Sequence, residues 1–136
     1  MIILCGIFGY IGDKNASQVL VQGLLRLEYR GYDSSGIVVR NGSLQTFKEI
    51  GKISDLTSRL PKMKGTIGIS HTRWATHGGV TKENAHPHIS EDGKVAIVHN
   101  GILQNSNILR KRLTRKGITL SSETDSEVFC HFIAME

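Results

Sequence analysis

The chain has 136 residues, of which 39% are hydrophobic and 21% charged, and its formal net charge is +5. This length and composition are typical of one folded domain with its own core, and they exclude a disordered chain. The first apolar run is about a dozen residues long, too short to span a bilayer, and no basic segment precedes it as in a secretory signal. Aromatic residues make up 6% of the chain, so the basic cluster at 110–116 is interpreted as a solvated helix face and not as a nucleic-acid-binding surface.

The first half of the chain predicts a strand, a helix and a hairpin. Segment 5–11 is predicted to be a buried strand, and Asn15 or Ser17 can cap a following helix whose apolar residues have helical spacing. Gly31 is expected to end that helix as a left-handed cap. Segment 36–48 contains two β-rich runs joined by Asn-Gly, the strongest hairpin signal in the chain.

The second half predicts a short helix over 54–60 and a strand over 65–71, followed by a long irregular loop over 72–92. A buried strand is then expected over 94–100, and a helix over about 107–116 that ends at Gly117. Thr124 and Glu127 have the spacing of a capping box, which predicts a last helix. This order of elements favours an α/β or α+β layered fold.

Four of the six histidines, His71, His77, His86 and His88, lie at or in the long loop. Clustered imidazoles raise the possibility of a zinc site. The chain has no H-E-x-x-H motif and no paired Cys and His ligands, which favours structural or substrate-binding histidines instead.

The two cysteines, Cys5 and Cys130, are too few for a disulfide framework, so a reducing cytoplasm with free thiols is the expected compartment. A cysteine in an apolar strand is usually inert because burial raises its pKa. A cysteine at the very start of a mature chain is different, because its own α-amino group lies beside the thiol and can accept the proton. Cys5 is therefore either a buried strand residue or an N-terminal nucleophile.

Acyl transfer through such a thiol needs hydrogen-bond donors for the developing oxyanion. The Asn100 side chain and the Gly101 backbone N–H, directly after a predicted strand, are candidates, although most Asn-Gly pairs are turns. An amino-acid substrate would also need a cation for its carboxylate, for which Arg73 is suited. Asp125 could bind the ammonium group, or it could simply favour the start of the last helix.

Six motifs occur together in the order found in class II glutamine amidotransferases, and the chain resembles that family from Cys5 to Glu136. The motifs are CGIFGYIG, LEYRGYDSSG, HTRWATHG, NAHPH, VHNGI and SETDSE. The sequences of these motifs are most similar to those of the branch of the family that transfers ammonia to fructose 6-phosphate. The resemblance implies an α+β fold of the N-terminal-nucleophile (Ntn) hydrolase type, a four-layer α/β/β/α sandwich that is incomplete at its C-terminal end.

The resemblance also implies residue roles. Cys5 would be the nucleophile, with Asn100 and Gly101 as the oxyanion hole, in the hydrolysis of the glutamine side-chain amide. The implied substrate-binding residues are Arg73 for the carboxylate, Asp125 for the ammonium, the closing-loop residues Trp74, Thr76 and His77, and Arg30 as a residue that shapes the site. No metal and no cofactor is expected. The alternative for Trp74 is a structural role as an ordinary core or loop residue.

Glutamine is the expected substrate, and fructose 6-phosphate would be reached only through an isomerase domain that this sequence lacks. The full-length enzyme is expected to be a homo-oligomer, with no nucleic-acid or membrane partner. A truncated sandwich is also expected to expose apolar faces, which favours aggregation or a partner.

The expected domain covers 5–136, with 1–4 as a leader that is removed or as a miscalled start at position 4. If residues 1–4 stay attached, the Cys5 nitrogen is an amide and cannot accept a proton. The alternative is then a catalytically inactive glutamine-binding or interaction remnant. A basic nucleic-acid binder is a more distant alternative.

Overall fold

The computed structural model describes residues 4–76 and 78–136. The strands are β1 (Gly6–Ile11), β2 (Ser34–Asn41), β3 (Ser43–Ile50), β4 (Ile67–Arg73), β5 (His88–Ile89) and β6 (Ala96–Ile97). The helices are α1 (Ala16–Leu27), α2 (Ile53–Arg59), α3 (Ser106–Arg115) and α4 (Asp125–Met135), and a 3-10 turn covers Glu28–Arg30. The predicted order of elements is confirmed, except that the loop expected over 72–92 contains the short strand β5.

Four strands form an antiparallel sheet in the order β1-β4-β2-β3. The predicted hairpin is β2–β3, which turns at Gly42 with a φ of 74°. Strand β4 lies between β1 and β2, so its C-terminal end is next to the start of both neighbours. This register brings the residue before β1 and the residue after β4 to the same end of the sheet.

Helices α1 and α2 cover one face of this sheet and enclose the main core. Asn15 caps α1, as expected, by accepting a hydrogen bond from the Gln18 backbone N–H. Every second residue of β2 faces the helices, in keeping with the two-residue period of a strand. The core residues are Ala16, Leu20, Leu24, Ile37, Val39, Ile53, Leu56 and Met63.

The opposite face of the sheet meets a second, smaller layer formed by β5 and β6, which pair antiparallel. The contact is close at Gly36, where an added Cβ would lie 2.1 Å from the His86 carbonyl oxygen. Helix α4 packs on β5 and β6, and α3 packs on α4. The layers therefore follow the predicted order of helix, sheet, sheet and helix.

Two local predictions are wrong. The strand expected over 94–100 is only β6, and its residues are half-buried, because the two-residue β5 is its sole strand partner among the described residues. Gly31 has a φ of 107° and a ψ of 152°, outside the left-handed helical region. The reason is that α1 tightens into the 3-10 turn before the chain reverses.

Thr124 caps α4 by accepting a hydrogen bond from the Glu127 N–H, as the capping box predicts. The other half of the box differs, because the buried Glu127 carboxylate accepts hydrogen bonds from the backbone and hydroxyl groups of Ser121 and Ser122. Burial opposes the charge on Glu127, but these four donors outweigh it and lower the carboxyl pKa. Across the described residues, no helix is long and apolar enough to cross a membrane.

Candidate active site

The Cys5 thiol lies against the end of β4. Cys5 immediately precedes β1 and Trp74 immediately follows β4, so the pairing of these strands brings the two residues together. The Cys5 Sγ atom accepts a hydrogen bond from the Trp74 backbone N–H at 3.2 Å and lies 3.6 Å from the Trp74 carbonyl oxygen. The thiol is partly exposed, so a reagent or substrate can reach it.

The Cys5 carbonyl oxygen is held by two side chains from distant parts of the chain. Arg30 donates from Nε at 3.3 Å, and Asn100 donates from Nδ2 at 3.0 Å. The Leu4 backbone N–H also donates to the Arg30 carbonyl oxygen at 2.8 Å. These contacts fix the backbone on both sides of the Cys5 nitrogen.

Gly101 follows Asn100 in a conformation that side chains rarely adopt, with a φ of 149°. An added Cβ would lie 2.9 Å from the His99 Nε2 atom. The backbone freedom of glycine and its missing side chain are therefore both needed at this position. His99 is held in turn through Nδ1, which lies 3.1 Å from the Ser126 hydroxyl at the start of α4.

A row of buried histidines lies behind this loop. The His71 Nε2 atom is 2.7 Å from the Asn100 Oδ1 atom. The His71 and His86 rings stack with centroids 4.3 Å apart, and His88 packs edge-on against His86. Burial lowers the pKa of His71 to about 4 and of His88 to about 3, and it lowers the pKa of His86 further.

Arg73 and Asp125 are the charged candidates for substrate binding. Arg73 ends β4, is 5% exposed and donates to the Gly79 carbonyl oxygen at 3.0 Å. Asp125 is the first residue of α4, and its Oδ2 atom accepts from the Leu103 backbone N–H at 2.6 Å. Helix α4 thus fixes the carboxylate, and the hydrogen-bonded loop keeps it in place.

Two acidic residues hold the loop between β4 and β5. The Asp33 carboxylate accepts from the Ala75 backbone N–H and from the Ser34 hydroxyl. The Glu49 carboxylate is 1% exposed and pairs with Lys82 at 2.9 Å and Arg59 at 3.2 Å. The hydrogen bond from Lys82 is the largest cause that lowers the Glu49 pKa to about 2.

Most of the predicted site residues line one pocket, whose volume is about 420 Å³ when the space at its open entrance is included. Cys5, Arg73, Trp74, Thr76, Asn100, Gly101 and Asp125 all line it. Arg30 lines a neighbouring cleft with Cys5, Trp74 and Gly101. His77 lies outside the described residues. Among the residues that are described, no group of three His, Cys, Asp or Glu side chains could hold a metal ion.

Several supporting residues were not predicted from the sequence. Asp33 lies inside the EYRGYDSSG motif, so the motif itself was a signal. His71 was considered only as one of a histidine cluster. Glu49 and Lys82 are 33 residues apart in the chain, and nothing in the local sequence marks them as a pair.

Comparison with known proteins defines the class of this domain. A family model described as a glutamine amidotransferase domain matches residues 54–135, and the chain belongs to that family. The glutamine–fructose-6-phosphate aminotransferase (isomerizing) of Thermus thermophilus is 51% identical over 133 residues, which cover 96% of this chain and 22% of that protein. The Streptomyces coelicolor protein of the same name is 51% identical over 137 residues, 98% of this chain and 22% of the relative. The chain therefore spans about a fifth of the length of these relatives, and the predicted resemblance is confirmed.

A solved structure agrees with the fold. The glutamine phosphoribosylpyrophosphate amidotransferase of Bacillus subtilis, complexed with ADP and GMP, superposes with a TM-score of 0.80 and 32% sequence identity. The match covers 96% of this chain and 29% of that one. The predicted α+β fold of the Ntn type is confirmed.

Proposed function

We propose that this domain hydrolyses the side-chain amide of glutamine to glutamate and ammonia, with Cys5 as the nucleophile. The observation that carries the proposal is the single pocket in which the Cys5 thiol meets an amide donor, a buried guanidinium and a helix-held carboxylate. A nucleophile, an oxyanion site and two groups of opposite charge are what an α-amino acid with a reactive side-chain carbonyl requires.

The proposed reaction begins with transfer of the Cys5 thiol proton to the α-amino group of the same residue. The thiolate attacks the glutamine side-chain carbonyl carbon, and the carbon–nitrogen bond then breaks as the ammonium returns its proton to the leaving group. Ammonia departs and a glutamyl thioester remains. Water attacks the thioester with the amine as base, which releases glutamate and restores the thiol.

The other pocket residues have proposed roles in this reaction. The Asn100 side-chain amide and the Gly101 N–H stabilise the oxyanion. Arg73 binds the α-carboxylate and Asp125 binds the α-ammonium group, which fixes both ends of the amino-acid portion. Thr76, Trp74 and His77 belong to the loop that closes over glutamine, and Arg30 holds the backbone of the nucleophile.

The mechanism requires a free amine at Cys5, so we propose a glutaminase domain of 5–136 that becomes active when residues 1–4 are absent. An amide nitrogen has no available lone pair for the thiol proton. In the whole protein, we propose, the ammonia passes to fructose 6-phosphate bound by a second domain, as the names of the relatives suggest. We also propose a homo-oligomeric whole enzyme and a cytoplasmic location, the latter supported by two free cysteines.

The test compares the chain that begins at Cys5 with the same chain carrying Cys5→Ala. The first should release glutamate and ammonia in equal amounts and form a Cys5 adduct with 6-diazo-5-oxo-norleucine, while the second should do neither. Absence of an adduct on the exposed Cys5 overturns the proposal. Full activity with residues 1–4 still attached overturns the role of the amine.

The alternative is a glutamine-binding remnant with a permanently blocked amine. The hydrogen bond from the Leu4 N–H to the Arg30 carbonyl oxygen favours it, since the residue before Cys5 has a backbone partner. Intact mass of the natural protein separates the two functions. Loss of residues 1–4 supports the enzyme, and their retention supports the remnant.

A further inference from the structure

We propose that His71 is a positioning residue that holds the Asn100 carboxamide with its NH2 group directed at the reacting centre. The inference rests on the proposed glutaminase function and adds a residue to it. His71 is the first residue of the HTRWATHG motif, and its side chain hydrogen-bonds to Asn100. It lines the same pocket as Cys5 but has no part in the reaction proposed above.

The contacts of the Asn100 side chain determine the orientation of its carboxamide. Its two ends face different partners, the Cys5 carbonyl oxygen at 3.0 Å and the His71 Nε2 atom at 2.7 Å. A carbonyl oxygen only accepts hydrogen bonds, so the end that faces Cys5 is the NH2 group. The Oδ1 atom therefore faces His71.

The orientation of Asn100 determines which nitrogen of the His71 imidazole carries the proton. Because the Asn100 Oδ1 atom can only accept, His71 must carry its hydrogen on Nε2. The ring is 1% exposed, and burial is the main cause that lowers its pKa to about 4, so at neutral pH it holds one proton. Nδ1 is then unprotonated.

The His71 ring is itself fixed by the sheet and by a second histidine. His71 is anchored on the central strand β4 and stacks on His86 with an interplanar angle of 16°. His86 is fixed in turn, since its Nδ1 accepts from the His99 backbone N–H at 3.3 Å and its backbone packs against Gly36. The rigid sheet thus determines the orientation of an amide on an exposed loop.

This orientation matters for the reaction. The NH2 group has two hydrogens, one of which is used by the Cys5 carbonyl oxygen, and the second is available for an oxyanion. A carboxamide turned the other way would present its oxygen to two acceptors, the Cys5 carbonyl and the developing oxyanion. Loss of one correctly placed oxyanion donor lowers kcat by about a hundredfold or more, so misorientation should have an effect of similar size.

The test uses two amide variants, His71→Gln and His71→Asn, in the chain that begins at Cys5. A glutamine amide can place its NH2 where Nε2 lies, while the asparagine amide is one carbon shorter and cannot reach. We expect His71→Asn to lower kcat by about 100-fold with little change in KM, and His71→Gln to recover most of the loss. Equal kcat values for both variants overturn the proposal.

A double-mutant cycle supplies the second readout. In an Asn100→Ala background, His71→Asn should cause no further loss of kcat, because the group that it positions is gone. Additive losses would mean that His71 acts independently of Asn100, and they would overturn the proposal. Thermal unfolding of each variant confirms that the chains compared are folded.

Nitrogen-15 NMR of the unmodified 136-residue chain tests the orientation without any activity. We expect His71 at neutral pH as the Nε2–H tautomer, with slowly exchanging Asn100 NH2 protons. An Nδ1–H tautomer overturns the positioning role even if glutamine is hydrolysed. A confirmed tautomer in a chain that begins at Cys5 and fails to hydrolyse glutamine overturns the proposed function instead.

Discussion

The two cysteines differ in how far their thiols are exposed. Cys5 is partly exposed at the pocket, whereas Cys130 is fully buried on α4. Its thiol lies 3.4 Å from the His88 carbonyl oxygen and 3.5 Å from the Val95 carbonyl oxygen. Burial, assisted by the charge of Glu127, raises the pKa of Cys130 to about 11. Only a thiolate reacts readily with an alkylating agent, so the two sites should be separable.

We therefore predict selective labelling of Cys5 by iodoacetamide in the folded chain. At about pH 8 a thiol with a pKa of about 11 is ionised to about one part in a thousand, before its lack of exposure is considered. Peptide mapping after limited labelling should find the label on Cys5 at least about a hundredfold in excess. In denaturant the two residues should react similarly. Preferential native labelling of Cys130 would contradict the packing described for α4.

Gly101 and Gly117 give a matched pair for testing the oxyanion loop. Both have positive φ angles, 149° and 83°, but only at Gly101 would an added Cβ meet another group. We predict that Gly101→Ala lowers glutaminase kcat by about 10- to 100-fold, because His99 and the loop must shift. Gly117→Ala should cost about 1 kcal/mol of stability and leave kcat unchanged. Steady-state kinetics and urea unfolding check both, and equal effects on kcat would contradict a specific role for Gly101.

At the scale of elements, the loop between β4 and β5 depends on an ion pair that crosses from it to the sheet. Lys82 on the loop contacts the buried Glu49 of β3 at 2.9 Å, and Arg59 of α2 approaches the same oxygen. The loop also carries Thr76, which lines the pocket. Removal of Lys82 leaves a buried carboxylate with one side-chain cation, so loop and sheet should separate more easily.

We predict that Lys82→Ala lowers the melting temperature by a few degrees and raises the KM for glutamine severalfold. Lys94→Ala is the control, since Lys94 pairs with Asp92 at 3.7 Å on the exposed surface and such pairs contribute little. Differential scanning fluorimetry and glutaminase kinetics provide the two measurements. Indistinguishable melting temperatures for the two variants would mean that the Glu49 pair does not anchor the loop.

The elements also show which features can be predicted from sequence. Local sequence was sufficient to predict the Asn15 cap, the hairpin at Gly42 and the Thr124 cap, because the residues that form each feature are close together in the chain. The 94–100 strand was overpredicted because its length depends on a partner strand, which an apolar run does not specify.

The candidate site shows the same division. The motif resemblance predicted most of the residues that line the pocket, because the side-chain type of each residue indicates the chemistry it can perform. The residues that hold them in place were missed. His71 contacts Asn100 across 29 residues and Asp33 contacts Ala75 across 42, and such pairs are defined only by the fold.

At the scale of the whole molecule, one face of the main sheet is left partly uncovered. Ile7 and Ile11 of β1 and Ile67 of β4 lie on the face opposite α1 and are 43%, 76% and 38% exposed. β1 is also an edge strand. Adjacent apolar side chains on an open sheet edge favour association with another chain.

We predict that Ile11→Lys reduces the self-association of this chain, measured by sedimentation velocity over a range of concentrations. Ile108→Lys is the control, because Ile108 is 71% exposed on α3, a helix that packs on α4. The charge change is identical in the two variants, so a difference between them reports on the location of the patch. Equal sedimentation behaviour of both variants would contradict association through this face.

The buried histidine row makes the stability of the whole molecule depend on pH. Burial lowers the pKa values of His71, His86 and His88 below the value of about 6.5 expected in the unfolded chain. The unfolded state therefore binds more protons below that pH, and the free energy of unfolding falls as the pH is lowered. For His71 the loss continues to about pH 4, and for His88 to about pH 3. Each histidine adds a slope of up to about 1.4 kcal/mol per pH unit.

We predict that urea unfolding between about pH 7 and about pH 5 shows a steady loss of stability, and that His88→Gln removes about one third of its slope. Glutamine can keep the hydrogen bond to the Thr124 hydroxyl, which lies 2.8 Å from the His88 Nε2 atom, but it cannot be protonated. Glu49 and Glu127 add little in this range, because the pKa of each carboxyl is lowered in the folded chain and a glutamate in the unfolded chain begins to bind protons only near about pH 5. The slope therefore reports on the histidines. An unchanged slope in His88→Gln would mean that His88 is already protonated in the folded chain, and the buried row would then have to hold a charge that this packing excludes.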